Sequence, residues 1–236
     1  SLKIINEFCA SDERFTLVST FDSGQAEAIM KSFSHATGDI LCFLNSDDLY
    51  IGIDVFRSVV LSFMNYKVAD VISFQGYYLD ISGNYIRKVR LRYHPLDSTA
   101  NMKYRTAVLQ PATFWKKIVY DTIPIHIDRH YVFDSIFFYQ AYKKYSWLDL
   151  SKPVAGHRLH GLNKSLQICA TRINEISEFE RLKFGSYSFR VYYIKSISYL
   201  IKITNNIPII GKGLSKIIYY TVNSLSFITL YRVPSI

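Results

Sequence analysis

The feature that most constrains the fold is the apolar run ILCFL at residues 40–44, which is followed directly by Asn45, Ser46, Asp47 and Asp48. Five consecutive apolar residues have the length of a strand, and an unbroken run is typical of a strand in a parallel sheet covered by helices on both faces. Ligands of open α/β sheets bind beyond the carboxyl ends of such strands. The polar residues therefore mark a candidate site at the end of a buried strand.

Helical and extended patterns alternate on both sides of this run. Apolar residues recur at helical spacing over 25–36 and 54–64, and DVISFQ at 70–75 predicts another strand. Residues 2–8 predict a short helix and residues 15–19 a strand. The residues of the helix 54–64 expected to face the core are Val55, Phe56, Val59, Val60 and Phe63. This alternation of helix and strand predicts an α/β fold.

Beyond residue 75 the elements become shorter. The sequence predicts a hairpin around 82–84, a loop near 94–95 and a strand-like segment at 110–115. A helix over 134–145 and a strand over 152–160 follow. No composition shift separates two domains in this region, so we expect a single unit here.

The end of the chain differs in charge from the rest. Residues 181–236 contain no Asp or Glu and carry nearly all of the net charge of +9. The uncharged run 217–231 has an apolar helical face but is shorter than the roughly 20 residues that cross a bilayer. We therefore divide the chain into a domain, residues 1–185, and a basic amphipathic helical tail, residues 186–236, lying on a membrane surface.

The composition of the tail also indicates its partner. Basic residues alternate there with Ile, Leu and Tyr, which favours an anionic membrane surface over nucleic acid. Cys9, Cys42 and Cys169 are far apart and form no C-x-x-C pair, so neither a disulfide framework nor a zinc knuckle is indicated. We expect a cytoplasmic protein that is peripheral to the membrane.

The adjacent carboxylates of Asp47 and Asp48 allow two interpretations. Side by side in an apolar stretch they repel each other unless a cation holds them, and Mg²⁺ and Mn²⁺ accept hard oxygen ligands of this kind. Alternatively, both cap the turn that follows the strand. The spacing alone leaves both interpretations open.

A resemblance favours the first of them. Residues 22–33, 36–50, 110–117, 131–137 and 157–165 resemble, in the same order, successive motifs of inverting family 2 glycosyltransferases. The resemblance implies the GT-A fold, a Rossmann-like mixed sheet flanked by helices. It also implies that the first strand–helix–strand unit of that fold precedes Ser1, so we expect an N-terminally truncated domain.

The family's metal and donor motifs fall on identifiable residues. Asp47 matches the D-x-D residue that binds a divalent metal, Mn²⁺ or Mg²⁺, and His160 matches a further metal ligand. Asn45 stands where the family commonly has Asp, and with Asp48 it is assigned to the nucleotide-sugar site. The remaining residues that the resemblance assigns to the nucleotide-sugar donor are Asp22, Gly24, Gln25, Arg158 and Lys164.

The catalytic and acceptor positions follow in the same way. Asp134 matches the general base that takes the proton of the acceptor hydroxyl, although a lone Asp before an apolar run is also typical of a helix N-terminus. Gln110 and Trp115 match the acceptor side. The Trp115 ring would stack on a sugar, with burial in the core as the alternative.

The implied activity is transfer of a sugar from a UDP-sugar or another nucleotide sugar to a glycan or lipid-linked acceptor, as in polysaccharide biosynthesis. A single in-line displacement would invert the anomeric carbon. The alternative is a non-catalytic relic that binds glycans or lipids at a membrane surface.

Overall fold

The computed structural model describes residues 2–89, 108–160, 163–164, 169–185, 192 and 196. These residues form one mixed sheet flanked by helices, which confirms the predicted α/β class. The loop predicted at 94–95 and nearly all of the tail 186–236 lie outside the described residues. Within the described part of the chain, no helix has the length and apolar character required to span a bilayer.

The elements alternate along the chain as the sequence predicts. The helices are α1 (Leu2–Ser11), α2 (Gln25–Ser34), α3 (Val55–Asn65), α4 (Lys117–Thr122), α5 (Phe133–Lys144) and α6 (Ala170–Phe184). The strands are β1 (Ile40–Leu41), β2 (Leu49–Tyr50), β3 (Val71–Leu79), β4 (Tyr85–Lys88), β5 (Thr113–Lys116) and β6 (Trp147–Arg158). A 3₁₀ turn, Gln110–Ala112, precedes β5.

The sheet order brings the end of β6 beside the segment 45–48, which contains Asp47 and Asp48. The strands follow the order β1-β5-β3-β6-β2, and β4 forms a hairpin with the end of β3. β3 and β6 are parallel, and the other pairs are antiparallel, so β1, β3 and β6 end at the same edge. Residues 42–48 run along this edge from β1 to β2, which pairs with the last residues of β6.

Two predicted strands are corrected. Residues 15–19 form no strand, because they pair with no other strand in the described part of the chain. Only two residues of the run 40–44 form a strand, and this strand pairs antiparallel with β5 rather than in a parallel sheet. Leu41 is buried and Ile40, Cys42 and Phe43 pack against the core, whereas Leu44 is exposed.

The core lies on both faces of the sheet, because adjacent strand residues point in opposite directions. Ile72 and Phe114 pack on the face covered by α3, whereas their neighbours Val71 and Trp115 pack on the face covered by α2, α4 and α5. On α3, the predicted core residues Val55, Val59 and Phe63 are buried.

The prediction that Phe56 and Val60 face the core is wrong, since both are exposed. Each follows a buried residue by one position, which turns it about 100° around the helix axis. The inward stripe of α3 is therefore narrower than its apolar composition indicates.

Candidate active site

Five chain segments approach one another at the edge where β1, β3 and β6 end. They are the segment 22–25 at the start of α2, the segment 45–48 before β2, Gln110 in the 3₁₀ turn, the segment 130–134 at the start of α5, and residues 157–160, 163 and 164 at and beyond the end of β6. Hydrogen bonds connect the first three members to one another and the segment 45–48 to the end of β6, and Lys164 lies over the Tyr131 ring of the segment 130–134. The residues assigned by the family resemblance lie in these segments, apart from Trp115.

Asp48 fixes the acidic segment to the end of β6. Its side chain is fully enclosed, at 0% exposure, and Oδ1 lies 2.8 Å from Nδ1 of His157. The same oxygen accepts the Arg158 backbone N–H at 3.1 Å, and Oδ2 accepts from Asn45 Nδ2 at 3.3 Å. Both carboxylate oxygens are thus engaged inside the protein, and Asp48 acts on the site by holding Asp47 in place.

Asp47, by contrast, remains accessible. Its side chain is 35% exposed, and Oδ2 lies 3.0 Å from Nε2 of His160. Asn163 Nδ2 donates to the same oxygen at 3.3 Å and to the carbonyl of Arg158 at 3.0 Å. The structure therefore brings together the two residues expected to bind metal. Asn163 also contacts this site; it lies within the family-like segment 157–165, but the sequence did not predict a role for it.

This group fits a divalent metal that is shared with a substrate. Mg²⁺ is commonly held by one or two carboxylates together with substrate phosphates and water, so few protein ligands are needed. Asp47 supplies a carboxylate oxygen and His160 an imidazole nitrogen, both suited to Mn²⁺. Among the described residues, no three His, Cys, Asp or Glu side chains gather into a metal site of their own. The residues fit a metal that a diphosphate helps to bind.

Three amide side chains form a network behind Asp47. Gln25 Nε2 donates to Asn45 Oδ1 at 2.7 Å, and Asn45 Nδ2 donates to Gln110 Oε1 at 3.0 Å. Gln110 is buried, and its Nε2 donates to the Phe43 carbonyl. The amides predicted to meet the nucleotide-sugar donor or the acceptor therefore bind each other and connect α2 to the sheet.

The segment before α2 is held by its own side chains. The Asp22 carboxylate accepts the Gly24 N–H at 3.0 Å, and Glu27 accepts from the N–H and hydroxyl of Ser23 at 2.8 and 2.6 Å. Gly24 has a φ of 149°, and a Cβ there would lie 3.4 Å from Nδ1 of His130. The glycine thus allows the segment to approach the chain just before α5.

Asp134 lies in the first turn of α5. Its Oδ1 accepts the Ser135 N–H at 2.6 Å. Burial raises the pKa of the Asp134 carboxyl, while the hydrogen bonds from Ser135 and the charge of Lys164 oppose that rise. A carboxylate of raised basicity suits a general base, although the position in the first turn also matches the alternative of a helix-end charge.

Helix α6 positions the start of α5 through a residue that the sequence reasoning missed. Glu175 is buried and accepts the backbone N–H groups of His130 at 2.9 Å and Tyr131 at 2.7 Å. The Lys164 ammonium lies 5.3 Å from the centre of the Tyr131 ring. Burial lowers the pKa of Lys164, and the charges of Glu175 and Asp134 counteract this.

Trp115 is a core residue, which corrects its assignment to the acceptor. Its side chain is 0% exposed and packs against Phe33, Phe137 and Phe138 at ring-centre distances of 5.8, 5.2 and 5.6 Å. It points to the sheet face covered by α2, α4 and α5. Arg158 stays at the site, and its Nε is buried without a partner in the described part of the chain.

The chain is similar to known transferases in sequence and in fold. The sequence model of the family described as "Glycosyl transferase family 2" matches residues 1–146. No curated protein matches the chain. Among the crystal structures with a similar fold are three of TarS from S. aureus.

The structural likeness is moderate in extent. TarS 1-349 in complex with UDP-GlcNAc is 12% identical with a TM-score of 0.56, covering 82% of this chain and 56% of that one. A second structure of TarS 1-349 is 12% identical with a TM-score of 0.55, covering 98% and 68%. A structure of TarS is 14% identical with a TM-score of 0.50, covering 97% and 44%. The chain thus spans little more than half of the first of these.

Proposed function

Because the chain belongs to glycosyl transferase family 2, we propose that it transfers a sugar, with inversion and with Mn²⁺ or Mg²⁺, from a nucleotide-sugar donor to a glycan or lipid-linked acceptor. The observation that carries the proposal is the 3.0 Å approach of Asp47 and His160 at the edge where the strands end. The UDP-GlcNAc complex of TarS, which shares the fold, supports a nucleotide sugar as the donor.

Asp47 and His160 would hold the metal, with Asn163 keeping the carboxylate in place. When bound, the divalent ion neutralises the diphosphate that leaves. Asp48 and Asn45 hold the segment from behind, so the exposed Asp47 carboxylate faces the donor. Arg158 at the end of β6 and Lys164 beyond it add positive charge, which stabilises a departing diphosphate electrostatically.

Asp134 would act on the acceptor. Its carboxylate takes the proton of the attacking hydroxyl while the hydroxyl oxygen bonds to the anomeric carbon and the bond from that carbon to the diphosphate oxygen breaks. Attack from the face opposite the leaving group inverts the configuration, and no covalent sugar–protein intermediate is needed. Burial favours proton uptake, because it makes the ionised carboxylate costlier.

Location at the cytoplasmic face of the membrane is part of the same proposal. The tail 186–236 supplies basic residues and an apolar helical face in its sequence, which suits an anionic lipid surface. A peripheral position would bring the site close to lipid-linked glycans, such as those used in polysaccharide biosynthesis.

The test is Mn²⁺ binding in the presence of UDP, measured by titration calorimetry on the full-length protein. Asp47→Ala removes a carboxylate ligand, so we expect Mn²⁺ affinity to fall at least tenfold, about 1.4 kcal/mol. Asp121→Ala, which removes an exposed carboxylate paired with Lys117 on α4, is the matched control and should bind as the wild type does. Equal Mn²⁺ affinity in the wild type and Asp47→Ala would remove Asp47 from the site.

A further inference from the structure

The side-chain amide of Asn45 forms hydrogen bonds through both its oxygen and its nitrogen, the oxygen as acceptor and the nitrogen as donor. Its oxygen accepts from Gln25 Nε2 at 2.7 Å. Its nitrogen donates to Gln110 Oε1 at 3.0 Å and to Asp48 Oδ2 at 3.3 Å. A side-chain amide offers one acceptor oxygen and two N–H groups, so this environment uses all of the polar atoms of Asn45.

The surroundings leave one orientation for this network. The Phe43 carbonyl can only accept, so the Gln110 amide must present its nitrogen to Phe43 and its oxygen to Asn45. The Asp48 carboxylate accepts from Asn45 at Oδ2, and its other oxygen already faces His157 and the Arg158 N–H. Residue 45 must therefore donate to both Gln110 and Asp48, which an ionised carboxylate cannot do.

We propose that Asn45 is a positioning residue that presents Asp47 to the metal through its amide, and that the D-x-D arrangement of two carboxylates is incompatible with this protein. The proposal rests on the proposed function, since it assigns Asp47 to the metal. In this protein the segment 45–48 offers one metal carboxylate, Asp47, because Asp48 is enclosed and residue 45 is a hydrogen-bond donor within the protein.

The substitution Asn45→Asp distinguishes this proposal from the alternative that residue 45 binds the metal, because the two predict opposite changes in Mn²⁺ affinity. If residue 45 faces the metal, a new carboxylate there tightens Mn²⁺ binding. If the network is as described, the new carboxylate lies against Gln110 Oε1 and Asp48 Oδ2, at about the separations given above, and repels both. The segment then shifts and Mn²⁺ binds more weakly.

The experiment measures Mn²⁺ affinity, donor kinetics and metal-free urea unfolding of the full-length protein. For Asn45→Asp we expect Mn²⁺ affinity to fall about 10- to 100-fold, as for other residues that orient a metal ligand. The KM for the nucleotide-sugar donor should rise while kcat at saturating Mn²⁺ and donor changes little, because Asp134 lies on a different segment. Asn6→Asp, the same change at an exposed position of α1, should match the wild type. Unchanged or tighter Mn²⁺ binding by Asn45→Asp overturns the proposal.

Exchanging the side chains of residues 45 and 48 tests the hydrogen bond between them in the absence of metal. In the double variant Asn45→Asp with Asp48→Asn, net charge is kept and an amide again donates to a carboxylate, in the opposite direction. We expect the loss in urea midpoint to be smaller than the sum of the losses of the two single variants. Additive losses would show that residues 45 and 48 do not interact and would overturn the proposal. If the wild type binds no Mn²⁺, the proposed function fails, and this cycle alone decides whether the network is correct.

Discussion

Replacing Asp48 by alanine should destabilise the protein strongly, although the residue is close to the exposed Asp47. The substitution removes an enclosed carboxylate that faces His157 Nδ1 at 2.8 Å and accepts the Arg158 N–H at 3.1 Å. Asn45 loses its hydrogen bond to Asp48 but retains the one to Gln110 at 3.0 Å, so it keeps part of its hydrogen bonding. Two hydrogen-bond donors therefore lose the carboxylate that they share.

The magnitude follows from those two donors. A buried donor without its acceptor costs about 1 to 3 kcal/mol, and His157 can reduce its share by adopting the other tautomer. We therefore expect the free energy of unfolding to fall by about 2 to 4 kcal/mol. With a denaturant slope of about 2 to 3 kcal/mol per M, the urea midpoint falls by about 1 M.

Equilibrium urea unfolding, followed by tryptophan fluorescence and circular dichroism, measures this change. Asp121→Ala provides the control, because its carboxylate pairs with Lys117 at the surface and such pairs contribute about 1 kcal/mol or less. A loss below about 0.5 kcal/mol in Asp48→Ala would refute the reasoning, since it would show that the carboxylate is not needed to satisfy groups at the end of β6.

Two further predictions concern the core and the tail. Trp115→Ala should cost about 3 to 5 kcal/mol in urea unfolding, because the side chain is fully buried, and should leave the acceptor KM of the folded fraction unchanged; a raised KM with little loss of stability would return Trp115 to the acceptor site. Removal of residues 186–236 should abolish flotation with phosphatidylserine liposomes, since each basic residue near an anionic surface contributes about 1 kcal/mol; equal flotation of both proteins would contradict the tail's role as the membrane contact.

The helices were predictable because their signals are local. The sequence ranges for α2, α3 and α5 lie within two residues of the observed bounds, since helical spacing and the polar residues at each end are read from neighbouring positions. Helix α6 was not predicted, because the residues that it buries are mostly polar or charged. Its buried residues include Glu175, Ser177, Glu180 and Lys183, so no apolar stripe marks it.

Strands were harder to predict, because a strand depends on a partner distant in sequence. The pattern at 15–19 has suitable residues, yet no described strand lies beside it, whereas β6 extends five residues before the predicted range by pairing with β3. Sequence alone could not show these pairings.

The sequence predicted which residues lie at the candidate site, but not which of them face the site and which face the protein interior. The family resemblance placed Asp47 and His160 at one site, and the structure brings them together. It could not show that Asp48 and Gln110 face inward, because their partners, His157 and the Phe43 carbonyl, lie far away in sequence. Asn163 and Glu175 carried no separate signal.

The most direct test of the central claim is sugar transfer by the wild type and by Asp134→Asn. Turnover is measured with UDP-, GDP- and dTDP-sugars and with glycan and lipid-linked acceptors, per folded molecule and across pH. The variant keeps the size of Asp134 but not its basicity, so we expect kcat to fall by about 10² to 10⁴ with the donor KM nearly constant. Because burial raises the pKa of Asp134, wild-type kcat should decline as the pH falls through that raised value, where the carboxyl becomes protonated. Wild-type turnover in Asp134→Asn would end its assignment as the base, and absence of transfer by the wild type would contradict the account and favour a non-catalytic relic.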